Sequence, residues 1–320
     1  MAIVEVSRCE LADLLRCPVC RCELEAREAQ WHCQSVGCGR IFPTVDGIPI
    51  LLNEAHSVFD EGMFEQREAT FFKPRGPVRA LISRCLPVDN CNVAARRVLR
   101  RMRDLLVADV PRPRVLVLGG GVLGEGMEAL ADDPRIMLVE SDVSLEPRTQ
   151  LVCDAHDLPF TDRCFDGLVV QATLEHVLDP QQCVAEVERV LKPGGLVYAD
   201  TPFMQQVHGR EYDFTRFTRL GHRRLLRNFD EIESGISVGP GSALAWSIRY
   251  FLLSFFISTP ARRIVSGLAR LALGWLKYFD YYLARRPGAS DAASAFYFLG
   301  RKSDTTLADR KLLEQYEGGF

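Results

Sequence analysis

The stretch from Val115 to Gly126, VLVLGGGVLGEG, constrains the architecture more than any other part of the chain. Its apolar start reads as a short buried strand. Gly119, Gly120, Gly121, Gly124 and Gly126 then crowd the turn that follows, and Met127 to Ala131 opens a helix. A strand, a glycine turn and a helix let backbone approach a bound cofactor where any Cβ would clash. The spacing Gly119-x-Gly121-x-x-Gly124 also fits a dinucleotide fingerprint, so this stretch alone does not choose the cofactor.

At 320 residues the chain has enough length for one large core or two smaller ones. A net charge of −3 gives no general case for nucleic acid. The charge is uneven, with seven Lys/Arg against one Asp in residues 242–290. Eleven cysteines, and an N-terminus without a basic segment leading into an apolar run, favour a reducing cytoplasm. In that setting cysteines point to metal before disulfides. No apolar stretch reaches the ~18 residues needed to span a bilayer. The longest is Tyr250–Ile257.

Residues 11–52 read as a small separate module. Cys17-x-x-Cys20 forms a knuckle, and Cys33 and Cys38 form a wider second pair after a spacer that suits a hairpin. Four thiolates in two such pairs fit a closed tetrahedral zinc site, which would be structural. Cys22 and His32 are nearby alternative ligands. A module of ~40 residues has too little core to fold unaided, so metal would supply the missing free energy. Leu15 to Cys20 (LRCPVC) and Phe42 to Leu52 (FPTVDGIPILL) resemble the zinc-ribbon family of methyltransferase activator subunits. That resemblance implies a partner for a methyltransferase, here fused in cis.

Further along, Asn92 is placed to cap a helix through Val98, Met102 and Leu106, ringed by five arginines that read as a solvated face. Beyond the glycine turn, a second strand over Ile136–Val139 ends in Glu140-Ser141-Asp142. A carboxylate at that strand tip suits a ribose diol, for NAD and S-adenosylmethionine (SAM) alike. The run CDAHDLPFTDRCFDGLVVQATLEHV, followed by RVLKPGGLVYADTPF, breaks the tie. Over residues 112–203 it resembles the class I SAM-dependent methyltransferases in several ordered motifs.

The resemblance implies an α/β, Rossmann-like seven-stranded sheet with SAM over the carboxyl ends of its strands. Gly119, Gly120, Gly121 and Gly124 would lie under the methionine and ribose. Glu140 or Asp142 would take the ribose hydroxyls, and Asp154 and Ala155 would meet the adenine. Gln171 would begin the loop facing the methyl donor. Val117 stands where most of the family carries an acidic residue, and the glycine turn is one residue longer than usual.

After the fifth strand, a span rich in polar groups holds His208, Tyr212, Asp213 and Arg216 among aromatic residues, which suits an acceptor pocket. His208, then His176, are the candidate bases for a proton leaving an acceptor oxygen or nitrogen. Tyr212, Asp213 and Arg216 are the candidate acceptor contacts, although Asp213 and Arg216 also fit a plain ion pair that holds the loop.

Four units are expected: a zinc ribbon (1–56), a helical connector (57–110), a SAM-binding core (111–241) and a C-terminal helical cap or extension (242–320) with a final strand near 295–300. In the last unit, apolar and aromatic residues recur at helical spacing through 246–286 with basic residues between them. A cap, a homodimer face and a peripheral membrane contact all fit that pattern. The expected activity is SAM-dependent methyl transfer to a small-molecule or glycan- or lipid-linked acceptor. Methylation of RNA or protein of the translation apparatus, and a non-catalytic SAM-binding scaffold, are the alternatives.

Overall fold

The computed structural model describes residues 8–28, 30–68, 70, 88 and 90–319. Most of the connector's first half, residues 71–87, lies outside them. The strands are β1 (Leu24–Arg27), β2 (Gln30–Cys33), β3 (Ile41–Val45), β4 (Ile48–Leu51), β5 (Arg114–Leu118), β6 (Met137–Asp142), β7 (Leu151–Cys153), β8 (Phe165–Gln171), β9 (Leu191–Pro202), β10 (Phe229–Val238) and β11 (Ala295–Lys302). They form one mixed sheet in the order β1-β2-β3-β4-β7-β6-β5-β8-β9-β11-β10.

The central strand β5 shows why the sheet is layered. Val115 and Val117 pack into one apolar cluster, with Val98, Leu99, Met102 and Leu106 of the helix Ala95–Asp109. Leu116 and Leu118 face the other cluster, with Cys183, Val184 and Val187 of the helix Pro180–Val190. A strand buried on both faces reads as a continuous apolar run, as this one does.

Among the described residues the sheet has eleven strands where seven were expected. Residues 114–302 supply seven, and the N-terminal segment adds four at the sheet's edge. The junction is parallel pairing of β4 with β7, Ile50 opposite Val152 and Leu51 opposite Cys153. The expected separate module is therefore joined to the sheet. Leu11, Leu14, Leu15, Trp31 and Phe42 pack in the same cluster as Leu116, Leu158 and Phe160.

The strand expected near 295–300 is β11, but it lies inside the sheet, antiparallel to both β9 and β10. Asn92 caps as expected, its Oδ1 accepting from the amides of Ala94 (3.0 Å) and Ala95 (2.8 Å). The arginines of the following helix form surface ion pairs, including Arg101 to Glu233 (2.6 Å).

In the C-terminal region, Asp280 is fully buried and accepts from the amides of Gly241 (2.7 Å) and Ser242 (3.0 Å) and from Ser242 Oγ (2.6 Å). It thereby caps the helix Pro240–Leu253. The next helix, Thr259–Leu273, buries Ala269 alone. No helix among the described residues is long and apolar enough to cross a membrane.

Candidate active site and cysteine cluster

The glycine turn sits where the strand order reverses, between β6 and β8 on either side of β5. Gly119 has φ +73°, and a Cβ there would lie 2.5 Å from Thr173 Oγ1. The space a Cβ at Gly124 would need is taken by Gln171 Oε1. Two cavities flank the turn and share Leu118 and Gly119.

The smaller cavity, about 70 Å³, is lined by Asp142, Asp154, Ala155, Phe59 and Tyr212, among others. Asp142 Oδ2 accepts from the amide of Gly121 (2.9 Å). Burial raises the Asp142 pKa to about 6, against the opposing pull of that amide. Glu140 does not line this cavity. Its carboxylate is paired with Arg148 through contacts of 2.8 Å. Of the two acidic residues left open by the sequence, the structure brings Asp142 beside Asp154 and Ala155.

Asp154 has both oxygens engaged. Oδ1 accepts from the His156 amide (3.0 Å) and contacts His156 Nδ1 (2.5 Å), and Oδ2 accepts from Ser57 Oγ (2.7 Å). Burial works against ionisation, but these donors and the imidazole outweigh it and hold the carboxyl below its ordinary value. Phe59 stands next to Tyr212, ring centroids 5.3 Å apart. The N-terminal segment thus walls this end of the site.

The larger cavity, about 300 Å³, is lined by Gly120, Gln171, Glu175, Asp200 and His208, with Asn92 at its rim. Asp200 is buried at the end of β9, accepting from Ser237 Oγ (2.8 Å), Asn92 Nδ2 (2.9 Å) and Tyr198 Oη (3.1 Å). Burial raises its pKa to about 7 despite these donors. The folded chain therefore keeps a proton that the unfolded chain releases, so stability from this group falls as pH rises from about 4 towards 7. Asp200→Asn should flatten that part of the pH–stability curve, read as urea midpoints from pH 5 to 8. A slope equal to that of the unsubstituted protein would show that Asp200 is not the source.

His176 and His208 stand edge to face, centroids 4.9 Å apart. Burial lowers the pKa of His176. It opposes the charge on His208 too, but the carboxylates of Glu175 and Asp213 outweigh it and raise that group. Asp213 and Arg216 lie outside both cavities. They form an ion pair, and Asp213 Oδ2 also accepts from the amides of His208 (2.7 Å) and Gly209 (3.0 Å). Their visible task is to hold the loop that carries His208.

Sequence reasoning missed Asp200, Glu175, Ser57 and Phe59. An acidic residue at the carboxyl end of a buried strand was a signal for Asp200. Ser57 and Phe59 gave none, because only the tertiary fold brings the segment before residue 60 against Asp154.

The four expected thiols converge. Cys17 Sγ is 3.8 Å from Cys38 Sγ, Cys20 Sγ is 3.4 Å from Cys33 Sγ, and all four lie within 4.8 Å of one another. Tetrahedral zinc with Zn–S near 2.3 Å requires sulfur separations of roughly 3.8 Å. Cys22 is exposed, and neither it nor His32 joins the group.

The family described as "Methyltransferase domain" matches residues 127–199. A demethylmenaquinone methyltransferase of Clavibacter sepedonicus is 30% identical over 178 residues, 53% of this chain and 66% of that protein. Another, from Renibacterium salmoninarum, is 34% identical over 113 residues, 32% of this chain and 48% of that protein. The chain thus spans less than two thirds of the length of these curated relatives. A Haemonchus contortus phosphoethanolamine N-methyltransferase 2, solved with S-adenosyl-L-methionine, aligns with 16% identity and a TM-score of 0.39, covering 64% of this chain and 53% of its own. Residues 127–199 therefore match a methyltransferase domain, set in an α/β sheet with its glycine turn at the reversal of strand order.

Proposed function

We propose that this chain transfers a methyl group from SAM to an oxygen or nitrogen of a small-molecule or glycan- or lipid-linked acceptor. One observation carries the reading: the glycine turn is flanked by a carboxylate-lined cavity on one side and a larger polar cavity on the other. When bound, SAM supplies an electrophilic methyl on a sulfonium. Gly119, Gly120, Gly121 and Gly124 give the close backbone approach, and Asp142 holds the ribose hydroxyls. Asp154 and Ala155 meet the adenine, with Phe59 and Tyr212 as walls. Gln171 faces the methionine end. His208, with His176 behind it, is the candidate group to take the acceptor's proton. Asp213 and Arg216 position that histidine through the loop.

In the same reading Cys17, Cys20, Cys33 and Cys38 hold structural zinc, and the chain divides into ribbon, connector, core and C-terminal extension near residues 56, 110 and 241. Incubation with methyl-labelled SAM and a fractionated cell extract tests the function. Label is expected in a small-molecule or lipid fraction. Label in RNA or protein would move the acceptor to those classes, and binding of S-adenosylhomocysteine without any incorporation would make the chain a scaffold. The two relatives are named for demethylmenaquinone, which supports an apolar acceptor.

The C-terminal helices favour a peripheral membrane contact for delivering such an acceptor. Phe251, Phe255, Ile264, Leu268, Leu271 and Trp275 are all exposed, with Arg262, Arg263 and Arg270 among them. The helix Pro240–Leu253 meanwhile packs against the His208 loop, Tyr250 Oη donating to Val207 O (3.0 Å). Co-sedimentation with anionic vesicles is expected, and Leu268→Glu with Leu271→Glu should weaken it about tenfold or more, given burial worth ~2 kcal/mol per side chain. No vesicle binding, together with a dimer in light scattering, would assign the face to a second copy instead.

A further inference from the structure

Glu175, His176 and His208 meet between the two cavities, Glu175 and His208 lining the larger and His176 the smaller. Glu175 is fully buried, and neither of its carboxylate oxygens has a hydrogen-bond donor. A buried carboxylate in that state is unfavourable unless positive charge meets it. Its nearest polar neighbours are two ring nitrogens. Oε1 lies 3.7 Å from His176 Nε2 and 3.6 Å from His208 Nε2.

Each ring turns its other nitrogen to a backbone carbonyl. His176 Nδ1 is 2.7 Å from Tyr212 O, and His208 Nδ1 is 3.3 Å from Gln206 O. Where Nδ1 carries the proton, Nε2 presents a lone pair. Three electron-pair donors thus face one point, with their ligand atoms all within 4.8 Å. An imidazole that donates its far N–H to a carbonyl is also the outer-shell arrangement of metal-bound histidine. Bonds of about 2.0–2.1 Å to a common tetrahedral ion would set these atoms roughly 3.4 Å apart, a few tenths of an ångström closer than Glu175 Oε1 stands to either ring nitrogen. Behind the His208 ring, Asp213 Oδ2 lies 3.6 Å and Arg216 Nη2 3.5 Å from Nδ1, an ion pair that fixes the ring's position.

We propose that Glu175, His176 and His208 bind a divalent transition-metal cation beside the acceptor cavity, with coordination positions left open for an oxygen of the acceptor. Two imidazoles and a carboxylate suit Fe2+, Co2+, Mn2+ or Zn2+ better than Mg2+ or Ca2+. The acceptors selected are then those that present a hydroxyl or carboxylate oxygen as a ligand. For the two histidines, the role of base gives way to that of ligand. The inference rests on the proposed function for the identity of the cavity's occupant, while the cation site itself is read from the side chains alone.

The test is a titration of the full chain, its cysteine site loaded with zinc, with Co2+ in a calorimeter and an absorption spectrometer. One Co2+ per chain is expected, without the near-ultraviolet thiolate band that Co2+ among the four cysteines would produce. Glu175→Gln and His208→Gln should each weaken this binding at least tenfold. Should either variant fold poorly, pulsed electron paramagnetic resonance on the unsubstituted protein with Mn2+ should show coupling to two imidazole nitrogens. No uptake of Co2+, uptake at the thiolates only, equal affinity in the variants, or no imidazole coupling would each overturn the proposal. S-adenosylhomocysteine binding, measured on the same sample, keeps the two readings apart. A chain that binds it but takes no Co2+ overturns the cation site alone, and the reverse result overturns the methyltransferase reading.

Discussion

Cys17→Ser is expected to destabilise the whole chain, and not only its first fifty residues. In the proposed ribbon, zinc supplies the folding free energy that a small module lacks, and loss of one thiolate should cost on the order of 4 kcal/mol. The damage spreads because the module has no core of its own. Cys17 and Cys33 are buried in the cluster that also holds Leu116, Leu151 and Phe160. The knuckle is anchored there as well: Arg21 has φ +63°, and its guanidinium reaches Glu186 at 2.8 Å and Asp157 at 3.4 Å. Parallel pairing of β4 with β7 completes the joint. Zinc content, a thermal melt and hydrogen exchange along β6 and β7 would read the effect together. Metal loss with unchanged protection in β6 and β7 would mean that the two parts fold independently after all.

Asp154→Ala should weaken binding of SAM and S-adenosylhomocysteine about five- to hundredfold, equivalent to about 1–3 kcal/mol for a lost buried partner. Two losses combine. The carboxylate would no longer meet the base, and Ser57 would lose its acceptor, freeing the segment that places Val58 and Phe59 along the cavity. Because the Asp154 carboxyl is held below its ordinary value, it stays ionised across the neutral range. Ser57→Ala should act in the same direction with a smaller effect. Calorimetry with S-adenosylhomocysteine measures both, and unchanged affinity in Asp154→Ala would remove this residue from the cofactor site.

Much of the site was legible in advance because its chemistry depends on local backbone. A turn that needs Gly119 at positive φ, a cap at Asn92 and a Cys-x-x-Cys knuckle are each written within a few residues. Such features survive any arrangement of distant elements. The choice between Glu140 and Asp142 was not of this kind. Both sit near one strand tip, and only the fold shows Glu140 lining the larger cavity and paired with Arg148 while Asp142 lines the smaller. Asp213 and Arg216 were offered as acceptor contacts or as a loop-holding pair, and the amides of His208 and Gly209 draw Asp213 to the second task.

The strand order and the edge were decided later still. Apolar runs announced β5, β8 and β11, but the placing of β11 between β9 and β10 depends on pairing between residues as distant in sequence as Pro202 and Ala295 or Val238 and Ala295. The same holds for the N-terminal strands, whose spacing resembled a free-standing ribbon and whose apolar faces are instead buried against the sheet. From the residues alone came the strand–turn–helix unit and the thiol quartet, since each is set by short-range geometry, while the class expected of the central domain came from its resemblance to the class I SAM-dependent methyltransferases. Which carboxylates line the smaller cavity, which segment walls it and which imidazoles approach Glu175 came from the folded chain only. Those are long-range contacts, chosen by how whole elements exclude water from one another, and no local pattern encodes them.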